Sequence, residues 1–249
     1  MSLSGTGPVP PSVVYLHGWG MHGGLWADVL ARLPGRAPDL PGYGGVPAPE
    51  PYDAVTLADG LAAELPEPVA LVGWSLGGMV ALALAARHPD KVAKLVLVGT
   101  SPAFVQRDDW PHGLAPEVLA GFAEALGQDY RATLLRFLSL QARGGDAARD
   151  VIGRLRETVF ARGEPAPATL AAGLALLRDV DLRALAGQVR CPTLVVHGGY
   201  DTLCPPEAGR WLADRVRGAR LALQPRAAHA PFLSHPEWFV DELGRFLHE

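Results

Sequence analysis

The chain has 249 residues, of which 49% are apolar and 19% charged, with a formal net charge of −4. That balance excludes a disordered chain, and the mild acidity excludes a surface built throughout for nucleic acid. The length suits one large domain, or one domain carrying an insertion.

The chain opens with MSLSGTGPVPPS, which has neither a basic stretch nor an apolar one, so no secretory leader is expected. Short apolar runs then predict buried strands at 13–16, 69–73, 95–99, 193–197 and 219–223, because unbroken rather than alternating apolar residues mark strands covered on both faces. Helical patterns follow at 24–33, 55–65, 76–88, 206–216 and 236–247. Strand alternating with helix implies an α/β chain with a mostly parallel sheet and helices on both faces. The rhythm breaks between about 101 and 185, where four helices are predicted at 116–126, 130–142, 147–161 and 168–177. The expected layout is a core over 1–103, a helical cap over 104–184 and the rest of the core over 185–249. Cys191 and Cys204 cannot build a disulfide framework and lack the paired spacing of a zinc site. Two free thiols suggest a reducing, cytoplasmic setting. No apolar run reaches the roughly 18 residues of a membrane span. No polybasic run suggests a membrane tether, and no partner role for nucleic acid or membrane is expected.

The sharpest chemical signal is Gly73-Trp74-Ser75-Leu76-Gly77, set between a predicted strand and a predicted helix. A nucleophile on so tight a turn needs small residues around it, and the helix N-terminus behind it favours negative charge. Ser75 is the candidate nucleophile. His17-Gly18-Trp19-Gly20 ends the first strand. The backbone amides of Trp19 and Leu76 would together bind a developing oxyanion, with the Trp19 ring walling an acyl pocket. Asp201 follows the strand at 193–197, and His229 follows the strand at 219–223. The order Ser75, Asp201, His229 is the one expected for a nucleophile elbow with its acid and base.

Eight histidines compete for the base role. His17 reads as part of the oxyanion loop, His88 as a helix end, His197 as a core or loop residue and His235 as a helix cap. His22, His112 and His248 read as solvated. Asp39, expected just past another strand, is the rival acid, but its place near the oxyanion loop favours a structural role. No metal pattern is present in the sequence, and no cofactor is expected.

HGWG, DLPGYG, GWSLGG, HPDKV with LVLVG, HGGYD and AHAPF fall in an order that resembles the α/β-hydrolase superfamily throughout. VGTSPAF, Arg107 to Pro111, Arg136 to Gln141, VDLRAL and FLSHP are similar to the pimeloyl-acyl-carrier-protein methyl ester esterases of biotin synthesis. The resemblance implies a cofactor-free serine carboxylesterase acting on a carrier-bound methyl ester. It implies a triad of Ser75, Asp201 and His229, an acyl site at Trp19 and Leu76, and a cap wall of Phe137, Leu138, Ser139, Leu140 and Gln141. Relatives of this kind usually carry a strand pair before the HG motif. Here Pro8, Pro10 and Pro11 predict a shortened or missing hairpin, since proline cannot donate to a ladder. Esters, lactones or ring-cleavage diketones of other kinds remain alternative substrates, and a ligand receptor retaining the triad is an alternative of another class.

The cap stretch from 131 to 156 holds Arg131, Arg136, Arg143, Arg149, Arg154 and Arg156 against Asp146 and Asp150, a local net charge of 6 − 2 = +4. Such a face could steer an acidic carrier protein, or could be an ordinary solvated helix surface.

Overall fold

The computed structural model describes residues 11–249. The expected loss of a hairpin before the first strand falls mainly on residues 1–10, outside those described. Five parallel strands form one sheet in the order β1-β2-β3-β4-β5: β1 Val13–Leu16, β2 Val69–Trp74, β3 Val92–Val98, β4 Thr193–Gly198 and β5 Arg220–Gln224. Every residue of β1, β2 and β4 is buried. Side chains alternate between the two faces of a strand, so both faces of the sheet must be covered there.

β5 departs from expectation. Its residues are half-buried or exposed, so this end of the sheet lacks the cover that β1 has at the other end. The strand expected before Asp39 is also reduced, to a single bridge between Val14 and Arg36.

The helices are α1 Ala27–Leu30, α2 Ala54–Glu64, α3 Leu76–Arg87, α4 Pro116–Gln128, α5 Tyr130–Leu140, α6 Ala148–Val159, α7 Pro167–Asp179, α8 Arg183–Ala186, α9 Pro206–Arg215, α10 Pro231–Ser234 and α11 Pro236–His248. The helix expected over 24–33 is broken into a 3-10 turn, Gly23–Trp26, followed by the single turn of α1. Paired glycines at 23 and 24 weaken a helical start there. α3 is buried from Leu76 to Ala85, which a run of Leu, Val and small residues permits and an amphipathic helix would not.

Five helices, α4 to α8, separate β3 from β4. Phe122, Leu134, Phe137, Leu138, Leu170 and Leu174 of this insertion belong to the same continuous hydrophobic cluster as the sheet. The insertion therefore packs as an extension of the main core.

Because all five strands run the same way, the loops that leave their C-terminal ends gather at one edge of the sheet. His17 anchors the first of these loops. Its Nδ1 lies 2.8 Å from Gly18 O, and its Nε2 accepts Leu40 N–H at 2.9 Å. Those two bonds require a neutral ring with the proton on Nδ1. Burial is the main cause that pushes its pKa down from 6.5 to about 4. The unfolded chain therefore binds this proton first as pH falls, and folding loses stability from about pH 6.5 down to about pH 4. We expect His17 to account for a loss of about 3 kcal/mol over that window. Urea unfolding across the window should show the slope in wild type and a flatter one in His17→Gln, where the amide oxygen can still accept from Leu40. Equal slopes would remove His17 as the cause.

Candidate active site

Ser75 sits between β2 and α3 with φ 56° and ψ −121°. A non-glycine residue held there costs on the order of 1–3 kcal/mol, so its surroundings must enforce the conformation. A Cβ on Gly73 would lie 2.4 Å from Gly77 O, and one on Gly77 would lie 2.5 Å from His17 O. The glycines thus let the turn close on itself and on the β1 loop. Thr100 Oγ1 donates to Ser75 O at 2.7 Å and ties the turn to the end of β3.

Asp201 and His229, the candidate acid and base, meet at the same sheet edge. His229 Nδ1 lies 2.8 Å from Asp201 Oδ2, and the other carboxylate oxygen accepts Leu203 N–H at 3.0 Å and Cys204 N–H at 2.9 Å. The carboxylate orients the imidazole with its proton on Nδ1. His229 Nε2 is buried and makes no hydrogen bond with another group among the described residues, which leaves its lone pair free to take a proton. Ser75, Asp201 and His229 are 5%, 3% and 1% exposed.

Three contacts fix His229. Trp74 Nε1 donates to His229 O at 2.9 Å, and His229 N donates to Gln141 O at 2.9 Å. Gly99, at φ 48°, lies beneath the pair: a Cβ there would come within 2.6 Å of His229 O and 3.5 Å of Asp201 Oδ2. Trp74, Gly99, Thr100 and the Gln141 carbonyl were not singled out for these roles in the sequence. Gly99 and Thr100 do stand in the VGTS run at the end of a predicted strand, which is the signal that could have drawn attention to them.

The loop after β1 reaches the serine because residue 18 is glycine. A Cβ there would lie 2.9 Å from the Trp74 ring and 3.1 Å from Ser75 Cβ. Trp19 follows directly, and Leu76 is the first residue of α3, whose N–H has no acceptor within the helix. The Trp19 ring is buried, edge-on to Phe137 with centroids 4.8 Å apart, and its Nε1 donates to Leu170 O at 2.9 Å. It joins the β1 loop to α5 and α7.

The five-residue wall predicted over 137–141 divides between faces, as a helix requires. Phe137, Leu138 and Gln141 are buried, and Gln141 Oε1 is buried without a partner among the described residues. Ser139 and Leu140 are half-buried. The Ser139 hydroxyl donates to Leu135 O at 2.9 Å and lies 3.4 Å from Arg156 Nη2, so it belongs to the contact between α5 and α6.

The arginines also divide. Arg131 pairs with Glu164, and Arg154 pairs with Asp28. Arg136 lies over the Phe122 ring, 4.6 Å from its centroid. Among the described residues Arg136, Arg143, Arg149 and Arg156 make no ion pair.

His22, expected to be solvated, is buried instead. Its Nε2 lies 2.7 Å from Thr158 O, and its Nδ1 accepts Gly24 N–H, linking the 3-10 turn to α6. His112 is half-buried against Trp110, whereas His248 is exposed. The His235 side chain does not cap α11; its Nδ1 lies 2.9 Å from Ser234 Oγ. Asp39 Oδ1 accepts Gly23 N–H at 2.7 Å and lies 3.2 Å from Arg162, contacts that brace a loop.

The profile of the family described as alpha/beta hydrolase fold matches residues 11–236. The chain belongs to this family. It is 47% identical over 241 residues to a pimeloyl-[acyl-carrier protein] methyl ester esterase of Chromobacterium violaceum, covering 95% of this chain and 94% of that relative. A protein of the same name from Aromatoleum aromaticum is 47% identical over 236 residues, covering 91% and 94% of the two chains. Among solved structures, an esterase from Exiguobacterium antarcticum aligns with a TM-score of 0.87 at 27% identity, over 97% of this chain and 94% of that one.

The geometry of this hydrolase separates its two acid candidates. Asp201→Asn and His229→Ala should each lower ester turnover by about 10³-fold or more, whereas Asp39→Asn should leave the chemical step within about tenfold of wild type. Steady-state kinetics on folded variants measures this. An Asp39→Asn loss equal to that of Asp201→Asn would mean that the acid is misassigned.

Proposed function

We propose that this hydrolase is a serine carboxylesterase that removes the methyl ester from a pimeloyl group carried on acyl-carrier protein. The observation that carries the reading is the 47% identity, spanning nearly all of both chains, to relatives of that name. The buried constellation at the sheet edge supplies the chemistry such a reaction needs.

In this reading Ser75 Oγ attacks the ester carbonyl, and His229 Nε2 takes its proton. Asp201 holds the imidazole and stabilises its cationic form. The amides of Trp19 and Leu76 receive the oxyanion. Methanol leaves with the proton returned by His229. Water, deprotonated by the same histidine, then attacks the acyl-enzyme and releases the free carboxylate. The small exposure of Ser75 favours a slender, unbranched acyl chain carrying a small alcohol. Phe137 and Trp19, edge to face, line up an apolar wall for that chain.

The carrier protein is the finer part of the proposal. Four arginines without ion pairs among the described residues, Arg136, Arg143, Arg149 and Arg156, leave a cationic face on α5, α6 and the turn between them. That face is smaller than the six in the sequence suggest, because Asp28 and Glu164 occupy Arg154 and Arg131. Rim charge of this kind accelerates encounter with an acidic partner more than it strengthens the final complex. We place the reaction in the cytoplasm, in keeping with the unpaired thiols of Cys191 and Cys204. Among the described residues no helix is long and apolar enough to cross a membrane.

Ser75→Ala should abolish labelling by a fluorophosphonate and reduce methyl ester turnover by about 10⁴-fold or more, with the fold retained. Labelling that persists on another serine would overturn the assignment. Arg149→Glu with Arg156→Glu, seven residues apart on one face of α6, should lower kcat/KM for the carrier-bound ester by about tenfold at low salt. The loss should shrink as ionic strength approaches about 1 M, where the Debye length is about 3 Å. Turnover of a free short methyl ester should stay near wild type. Equal losses on both substrates, or none on either, would remove this face from carrier docking.

A further inference from the structure

His197 is the penultimate residue of β4, four residues before Asp201, and the proposed reaction does not use it. Its ring is fully buried. Nε2 lies 2.7 Å from Cys204 O and 3.5 Å from Asp201 Oδ2, the same oxygen that meets His229 Nδ1 at 2.8 Å. Nδ1 is buried without a partner among the described residues. α9 packs against the ring at Gly209, where a Cβ would lie 2.5 Å from His197 Nδ1.

Chemistry assigns the proton. A carbonyl and a carboxylate both accept, so the nitrogen facing them must donate, and the ring carries its hydrogen on Nε2. The unpartnered Nδ1 is then a bare lone pair, which costs less to bury than an orphaned N–H. The neutral form fits the burial, which lowers the His197 pKa against the opposing pull of Asp201. The ionisable groups acting on the ring are Asp201, His229 and Glu207 of α9, and the Cys204 thiol, held protonated by burial, lies near Asp201.

We propose that His197 is a positioning residue for the acid: its Nε2–H pins Cys204 O, closing the 198–204 loop, and faces Asp201 Oδ2. The pinned loop holds the Leu203 and Cys204 amides on Oδ1, which leaves Oδ2 aimed at His229. The N–H also draws charge from Oδ2 and weakens it as an acceptor for His229. The proposal rests on Asp201 and His229 acting as acid and base for Ser75.

The test is the pH profile of kcat/KM for a methyl ester, measured on wild type, His197→Leu, His197→Asn, His197→Gln and Ser75→Ala. Leucine removes the donor, and asparagine is too short to reach Cys204 O. In both, kcat should fall roughly tenfold or more with KM little changed. Without the donor, Oδ2 becomes the stronger acceptor and stabilises the His229 imidazolium. The acid limb should therefore move to higher pH by roughly half a unit or more. Glutamine places an amide N–H near the position of Nε2 and should restore the limb. Should the leucine variant fail to fold, the asparagine variant carries the comparison. Nitrogen-15 spectra of wild type should also show His197 neutral with its proton on Nε2 from about pH 5 to about pH 8.

An unmoved acid limb in the variants that lack the donor, with Ser75→Ala inactive, would overturn the role of His197 alone. A proton on Nδ1 of His197 would do the same. Activity retained by Ser75→Ala would overturn the triad and this role with it.

Discussion

At the end of β2 the backbone turns through Ser75 at φ 56°, a conformation that an isolated chain would abandon. The rest of the site depends on that one residue staying there. Gly73 and Gly77 remove the side chains that would collide, and Gly78 lets α3 pass within contact of Thr100. The Thr100 hydroxyl bonds the carbonyl of Ser75 and contributes about 1 kcal/mol. The larger restraint is burial. β2 and the first ten residues of α3 are buried, so relaxing the turn would require moving two elements packed against the sheet.

The parallel sheet turns this local strain into a site. With all strands running one way, the loops after β1, β2, β3, β4 and β5 emerge together, and five distant parts of the chain meet. Their contacts are mostly backbone to side chain. Trp74 holds His229 O, Asp201 holds the Leu203 and Cys204 amides, and His17 holds the Leu40 amide. Each uses a buried polar group whose loss would leave an unsatisfied partner, so each loop has a strong reason to keep one geometry.

The helical insertion enters this network directly. Gln141 O at the end of α5 accepts the amide of His229, and Asp146 N donates to Arg226 O at 2.9 Å. Asp146 also pairs with Arg226 at 2.8 Å. The turn between α5 and α6 thus braces the loop that carries His229. The same turn holds Arg143, with Arg149 just beyond it on α6. The cationic face and His229 are therefore joined by a few hydrogen bonds rather than separated by the width of a domain.

Much of this was legible in the sequence. Unbroken apolar runs located the strands, Gly73 to Gly77 marked the turn around Ser75, and chain order singled out Asp201 and His229 from many carboxylates and eight histidines. Those signals are local: a turn of that geometry needs glycine, and a strand covered on both faces needs unbroken apolar side chains. What the tertiary structure decided was pairwise and distant. β5 at one end of the sheet was left partly uncovered while β1 at the other end was buried, His22 was buried because α6 packs against it, and Arg131 and Arg154 lost their free charge to Glu164 and Asp28. Ser139 turned from the expected wall because a helix presents successive residues to different sides. His197 came to face Asp201 because β4 and the loop after it fold back on each other. A sequence records which groups are available, and only the packed chain determines which of them share a partner.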